Sequence, residues 1–320
     1  MNFDPYWDNN YIIMRRNKSY SESSYVYPYS LNFFITGDSS SDAANFGSGN
    51  VDCYISGPVD EKILSANNAS SSNVKTAGLV FNLDSKYFGS RVLREALAKS
   101  INRDAYSHSL PEGLTAAFGI VPDGITIQGK SYRDIIPDRT LSVYDAGSFE
   151  MWERALDAIG AESLDSVKIT VPDSFLGNGI IYDITGRWQN DLLFYCGVEI
   201  VSQNEYESKL EEGNYDIALV EISCDENSAY ELLRFFADDK IFGRYSNSEF
   251  ISSLNGIKTS VSLTSGAERI NKAESEIIGD YVFIPICYER EYLIYSKNSA
   301  DLAYYPFTSS VWFGEAKCFD

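Results

Sequence analysis

A single histidine, His108, stands in 320 residues. One imidazole leaves no polyhistidine metal site, though it does not argue against a one-histidine triad. Cysteine is sparse and scattered. Cys53, Cys196, Cys224, Cys287 and Cys318 form no C-x-x-C pair, so a zinc ribbon and thioredoxin-like redox chemistry have no support. Their odd number leaves at least one thiol unpaired within the chain, and Cys196 and Cys287 read as small buried hydrophobes, with a structural disulfide as the rival reading. No apolar run approaches the roughly 18 residues that a membrane span needs. No G-x-S-x-G, H-E-x-x-H or P-loop occurs. Positive charge is short too: 26 Lys plus Arg stand against 46 Asp plus Glu, a net charge of −20. A chain this acidic repels phosphate backbones, which argues against nucleic acid as a partner. Residues 1–16 lack the basic start and apolar stretch of a signal peptide. The expectation is therefore either a cytoplasmic protein or a chain that begins downstream of its natural start.

What is present suits a globular α/β protein. Apolar residues make up 44% and charged residues 22%, with length enough for about two domains. Strands are expected after a turn in residues 8–17, and at 30–36, 51–55 and 77–82. Residues 38–50 read as loop or short helix, and 66–73 (ANNASSSN) as an exposed linker. Helical spacing then takes over. Leu93, Leu97 and Ile101 share one face of a helix over 91–105, with Ser90 as its N-cap. Trp152, Leu156 and Ile159 form the stripe of a helix closed by Gly160. Ile181, Ile184, Trp188, Leu192 and Tyr195 form another over 179–196, stopped by Gly197. Ser265 and Glu268 suggest a capping box opening a helix to Ile278. Strands are expected at 198–201, 215–222, 282–286 and 292–295. Helices alternating with strands argue for a sheet layered with helices.

Eight short signatures in register carry a resemblance. They are MRRNKSY (14–20), GNVD (49–52), the long FNLDSKYFGSRVLREALAKSINRD (81–104), the helix end at 155–160, 193–200, GNYD (213–216), 245–250, and 269–286 ending in Ile284-Pro285-Ile286. Within the long stretch Asn82, Arg94, Ala96, Leu97, Ile101 and Arg103 match, while Ser100 and Asn102 replace the usual Ala and Asp. Together these resemble the C-terminal three-fifths of extracytoplasmic solute-binding proteins of the oligopeptide/dipeptide/nickel class (solute-binding protein family 5), the ligand receptors of ABC importers. The loop 122–144 is only loosely similar. The resemblance implies the C-terminal portion of a periplasmic-binding-protein-like (type II) two-lobe α/β fold. Residues 1–83 would be part of the first lobe, 84–295 the second large lobe, and 296–320 a return to the first. Signal, lipid anchor and the rest of the first lobe would lie in a missing upstream part.

The leading ligand contact is Asp225. It follows the apolar strand 215–222 at its C-terminal end, where α/β sheets place ligands. The resemblance implies that it pairs with the free α-amino group of a peptide, a charge-assisted hydrogen bond; a solvated loop residue or helix cap is the plainer reading. Glu221, Ser223 and Asn227 are secondary lining candidates. Ile222 stands where the family usually has Trp. Arg187 could neutralise a ligand carboxylate or simply carry surface charge. Arg94, in a helix's first turn where the macrodipole disfavours cations, is expected to have a carboxylate partner and a structural role. The implied protein is a monomeric non-enzyme without cofactor or bound metal, extracellular or periplasmic and membrane-associated. It would pass small peptides to a membrane permease. Three rivals stand beside it: a metal chelate or oligosaccharide as ligand, the sensor domain of a cytoplasmic regulator, and a hydrolase using paired carboxylates.

Overall fold

The structure is a computed structural model and describes residues 2–3, 11–36, 39–57, 59–138, 143–237 and 245–319. The turn expected at 8–10 lies outside them. The chain divides into two compact units, Met1–Ser72 with Arg290–Asp320, and Asn73–Glu289.

The first unit opens with an antiparallel sheet of β1 (Asn2–Phe3), β2 (Tyr11–Arg15) and β3 (Ser30–Phe34). Helix α1 (Ser39–Gly47), strand β4 (Cys53–Ser56) and helix α2 (Glu61–Ala66) follow. The Asp60 side chain caps α2 by accepting from Lys62 N, which satisfies one of the free amides of a helix start. Then β5 (Asn68–Phe81) runs on into the second unit. The stretch expected as a linker is thus mostly strand. Its alternating small polar residues lie on a half-exposed ribbon, so turn-like composition concealed the period-two pattern.

The second unit is a helix-covered sheet. After β5 come α3 (Arg91–Lys99), α4 (Arg103–Tyr106), β6 (Leu114–Ala116), β7 (Thr126–Ile127), β8 (Lys130–Ser131) and α5 (Tyr132–Ile135). Next are α6 (Ser148–Ile159), β9 (Lys168–Pro172), α7 (Asn178–Leu192), β10 (Gly197–Val201), α8 (Gln203–Glu212) and β11 (Ile217–Ile222). The unit closes with α9 (Ala229–Arg234), α10 (Ser248–Lys258), α11 (Leu263–Gly279) and the long β12 (Phe283–Tyr295). The strand order is β10-β9-β11-β5-β12, with β6 also on β12. Strands β10, β9 and β11 are parallel, and β11 meets β5 antiparallel. Parallel neighbours need covered crossovers, and α7 and α8 supply them. Leu79, Ile169, Ile217, Leu219 and Trp188 are fully buried in the resulting core. The Trp152 and Trp188 stripes face this core rather than a pocket. Ser100, the departure from the family motif, accepts a hydrogen bond from Trp188 Nε1 at 2.8 Å. Gly78 is required by close approach: a Cβ there would sit 2.6 Å from Ile284 O and against the Phe283 ring.

Several expectations need correction. The helix expected over 91–105 breaks after Lys99, because the Asn102 side chain accepts from Ala105 N and starts α4. Helix α7 stops at Leu192, with Leu193 at φ 55°, so Tyr195 falls outside the stripe and is 72% exposed. The capping box of α11 is Ser262 with Ser265, one turn earlier than expected. The two strands expected at 282–286 and 292–295 are one continuous β12. Arg94 is structural, but its partners are carbonyls: Phe88 O at 2.7 Å, Asp280 O at 2.8 Å, and Tyr281 O and Gly89 O at 3.2 Å. The chain leaving α11 offers unpaired C=O groups that a forked guanidinium satisfies. Cys196 and Cys287 are buried as expected, and all five thiols are free.

In the first unit, β4 pairs with the Tyr292–Tyr295 half of β12 over a small core of Val59, Tyr292 and Ile294. The return adds β13 (Ser299–Ala300) paired with β16 (Lys317–Cys318), and β14 (Ala303–Tyr305) paired with β15 (Ser310–Trp312).

Candidate functional site

The site grows from the C-terminal ends of two parallel strands of the second unit. Beyond β9 the chain turns tightly, with Asp173 N bonded to Val201 O and Phe175 N to Pro172 O, and so presents Ser174, Phe175 and Leu176. Beside it β11 reads IALVEI, with Glu221 its single exposed residue. A pocket of about 190 Å³ opens there, lined by Lys75, Leu114, Ser174, Phe175, Leu176, Glu221 and Glu289.

Strand register explains why three charges converge. Glu221 lies opposite Ala77, and Lys75, two residues along β5, projects from the same face. Glu289 comes from β12, opposite Leu114 of β6. Lys75 Nζ stands 3.3 Å from both Glu289 carboxylate oxygens. Burial, and then the neighbouring Glu289 charge, hold the Glu221 carboxyl above its ordinary range, with Lys75 pulling the other way. Glu221 is exposed, yet the packed strands around it remove enough water for desolvation to lead. Lys75 and Glu289 thus balance each other, while Glu221 carries the surplus charge.

The loop after β11 holds the other expected residues. Ser223, Asp225 and Asn227 are exposed, with Cys224 buried between them. Asn227 is committed to scaffolding: its Oδ1 accepts from Thr126 N at 2.7 Å, and its Nδ2 donates to Gly124 O at 3.2 Å. The Ser228 side chain then caps α9 by accepting from Glu231 N. Thr126 and Gly124 belong to a segment anchored from below by Glu274, which is fully buried on α11. Its carboxylate accepts from Ile120 N, Val121 N, the Tyr132 hydroxyl and the Arg133 guanidinium. Arg187 stands on the exposed side of α7, between the buried Ile184 and Trp188.

The structure therefore brings Glu221 into the pocket, sets Ser223 and Asp225 on the loop that leaves it, and leaves Arg187 off its lining. Sequence reasoning missed Lys75, Glu289 and the 174–176 turn. The available signal was a charge interrupting an otherwise apolar strand, as in NVKTAGLVF, IALVEI and ICYEREYLIY, since charges are rarely placed inside a sheet without a partner.

The α/β arrangement is that of a type II periplasmic solute-binding fold. The family profile described as bacterial extracellular solute-binding proteins, family 5 Middle, matches residues 2–243, and the chain belongs to that family. Solved structures agree on the fold. HbpA2 from Haemophilus parasuis superposes with a TM-score of 0.74 at 14% identity, covering 99% of this chain and 63% of that one. OppA of Listeria monocytogenes bound to peptide gives 0.68 at 18% identity, covering 98% and 62%. The murein tripeptide binding protein MppA of Escherichia coli gives 0.66 at 16% identity, covering 99% and 64%. The chain thus spans 62% to 64% of the length of these relatives. Among curated protein sequences no significant match is found. Among the described residues no helix is long and apolar enough to cross a membrane.

Proposed function

We propose that this protein is the ligand-receiving part of an ABC importer, a non-enzymatic, monomeric binding protein outside the cytoplasm that captures small peptides and hands them to a membrane permease. The observation that carries this reading is the charged pocket at the C-terminal edge of the second unit's sheet, in a chain of a solute-binding family. The second unit supplies one wall of the ligand cleft. Asp225, exposed on the loop after β11, is the partner of the peptide's α-ammonium. Withdrawn from water on closure, its carboxylate would be costly to leave unpaired, so a cation is demanded there. Ser223 lines the approach. Asn227 acts indirectly, by pinning the loop to residues 124–126. Two of these relatives are peptide binders, the peptide-bound Listeria OppA and the murein tripeptide binding protein, which supports peptides over chelates or sugars.

The test is calorimetry with a short peptide and its N-acetylated form. Asp225→Asn weakens the free peptide by about 2 kcal/mol, roughly thirtyfold, and leaves the weak binding of the acetylated peptide as it was. Equal affinities for the two proteins remove Asp225 from the site.

A further inference from the structure

The pocket beside Glu221 has a charge balance and a shape that specify more than a generic peptide wall. Lys75 spreads evenly over both oxygens of Glu289 at 3.3 Å, so that pair is internally neutral. Glu221 faces it, in side-chain contact with Glu289 and sharing the same Lys75 charge, and no salt bridge to Glu221 stands among the described residues. An anion entering here would meet one ammonium already engaged and two carboxylates. A monovalent cation would make the count even, two negative against two positive. The walls fit such a guest. Leu114 and Phe175 are buried and Leu176 is half-exposed, an apolar sleeve of the kind that covers a methylene stem while a charged head reaches a polar end. The volume, about 190 Å³, equals about six waters at ~30 Å³ each, room for an alkyl stem with one charged head.

We propose that this pocket receives a cationic side chain of the bound ligand, lysine-like or arginine-like, with the Glu221 carboxylate as its ionic partner and the Lys75–Glu289 pair as its neutral wall. The inference rests on reading this sheet edge as the ligand side. It also sets a proton balance. The groups facing Glu221 are Glu289 from β12 and Lys75 from β5, with the Cys287 thiol on β12 and the Tyr206 hydroxyl on α8 within electrostatic reach. The Tyr206 hydroxyl is occupied, donating to Leu219 O at 2.6 Å, and burial holds both the thiol and the phenol protonated. Glu221 is therefore the group that exchanges. Burial and the Glu289 charge raise its carboxyl above the ordinary range in the empty pocket. An arriving cation favours the ionised form and pulls it back down, so binding in the range between the two releases a proton to water.

The experiment is a ¹³C NMR titration of the full chain labelled at glutamate Cδ, with the Glu221 signal assigned by its loss in Glu221→Gln. The probes are n-butylguanidinium, neutral butyramide and anionic butyrate. The expected result is that n-butylguanidinium alone shifts the signal and lowers its titration midpoint. Its affinity strengthens as pH rises through that midpoint, and Glu221→Gln weakens it by about tenfold or more. Butyrate binding in preference, no shift with any probe, or guanidinium binding indifferent to Glu221→Gln would each overturn the proposal. Trialanine, with an α-ammonium but no cationic side chain, separates the two readings. If n-butylguanidinium binds and trialanine does not, the pocket stands and the peptide function falls.

Discussion

Glu274 is the most consequential buried charge in the second unit, and its replacement by glutamine can be worked through atom by atom. One carboxylate oxygen accepts from Ile120 N at 2.5 Å, Val121 N at 2.9 Å and the Arg133 guanidinium; the other accepts from the Tyr132 hydroxyl at 3.1 Å. In Glu274→Gln the amide oxygen takes the three-donor position. The amide NH₂ then faces the Tyr132 oxygen, which can turn to accept. Hydrogen bonds are kept in number, but the charge is gone. Arg133, with its side chain 9% exposed, is left with Asp138 at 4.0 Å. Breaking a buried pair costs about 3–5 kcal/mol, and the remaining Asp138 places this one at the low end, about 3 kcal/mol. Glu274→Met also strands two buried backbone N–H groups, at about 1–3 kcal/mol each, and so costs more than glutamine does. The assay is urea unfolding followed by tryptophan fluorescence, since the buried Trp152 and Trp188 report on this unit. Adding Arg133→Met to Glu274→Gln should recover part of the loss. A Glu274→Gln protein within about 0.5 kcal/mol of the parent, the usual range of an inert substitution, would refute the reasoning.

Two further outcomes follow from geometry already described. Gly78→Ala pushes a methyl into Ile284 O and the Phe283 ring and should cost about 1–3 kcal/mol; a urea midpoint equal to the parent's would show that the strands part without strain. Glu221→Gln should stabilise the empty protein in a pH-dependent way. Its carboxyl is raised in the fold above the model-compound value of 4.5, so the fold gains from its protonation below that value and loses the gain as pH rises through the folded midpoint. Stability curves of variant and parent should coincide near pH 4 and separate in the variant's favour above the midpoint; separation in the opposite sense would contradict the shift.

The family and most of the regular structure were legible because their signals are local. Gly160 at φ 67° closes α6 where the stripe of Trp152, Leu156 and Ile159 ends, and the apolar run of β11 marks a strand covered on both faces. What failed depended on distant partners. Arg94 needed a counter-group, but only the fold shows that carbonyls 186 and 187 residues away serve. Residues 68–73 look like a linker until β5 is seen as an unbroken ribbon. Asn227 could not be separated from a ligand contact before Gly124 and Thr126 were found against it. The pocket is the sharpest case. Glu221 was named for its place at a strand end, whereas Lys75 and Glu289 come from strands 146 and 68 residues away in sequence. Only sheet order brings them together.

The division of the chain has a bearing on how the molecule is made. One unit is a single uninterrupted stretch, 73–289, and the other is assembled from both flanks. A ribosome releases the whole of the inner stretch before it delivers the last strands of the flanking unit. The inner stretch can mature while its host waits with β1–β4 and without β13–β16. A premature stop near codon 290 would therefore spare the pocket-bearing half and strand the other, exposing unpaired edges to neighbouring chains.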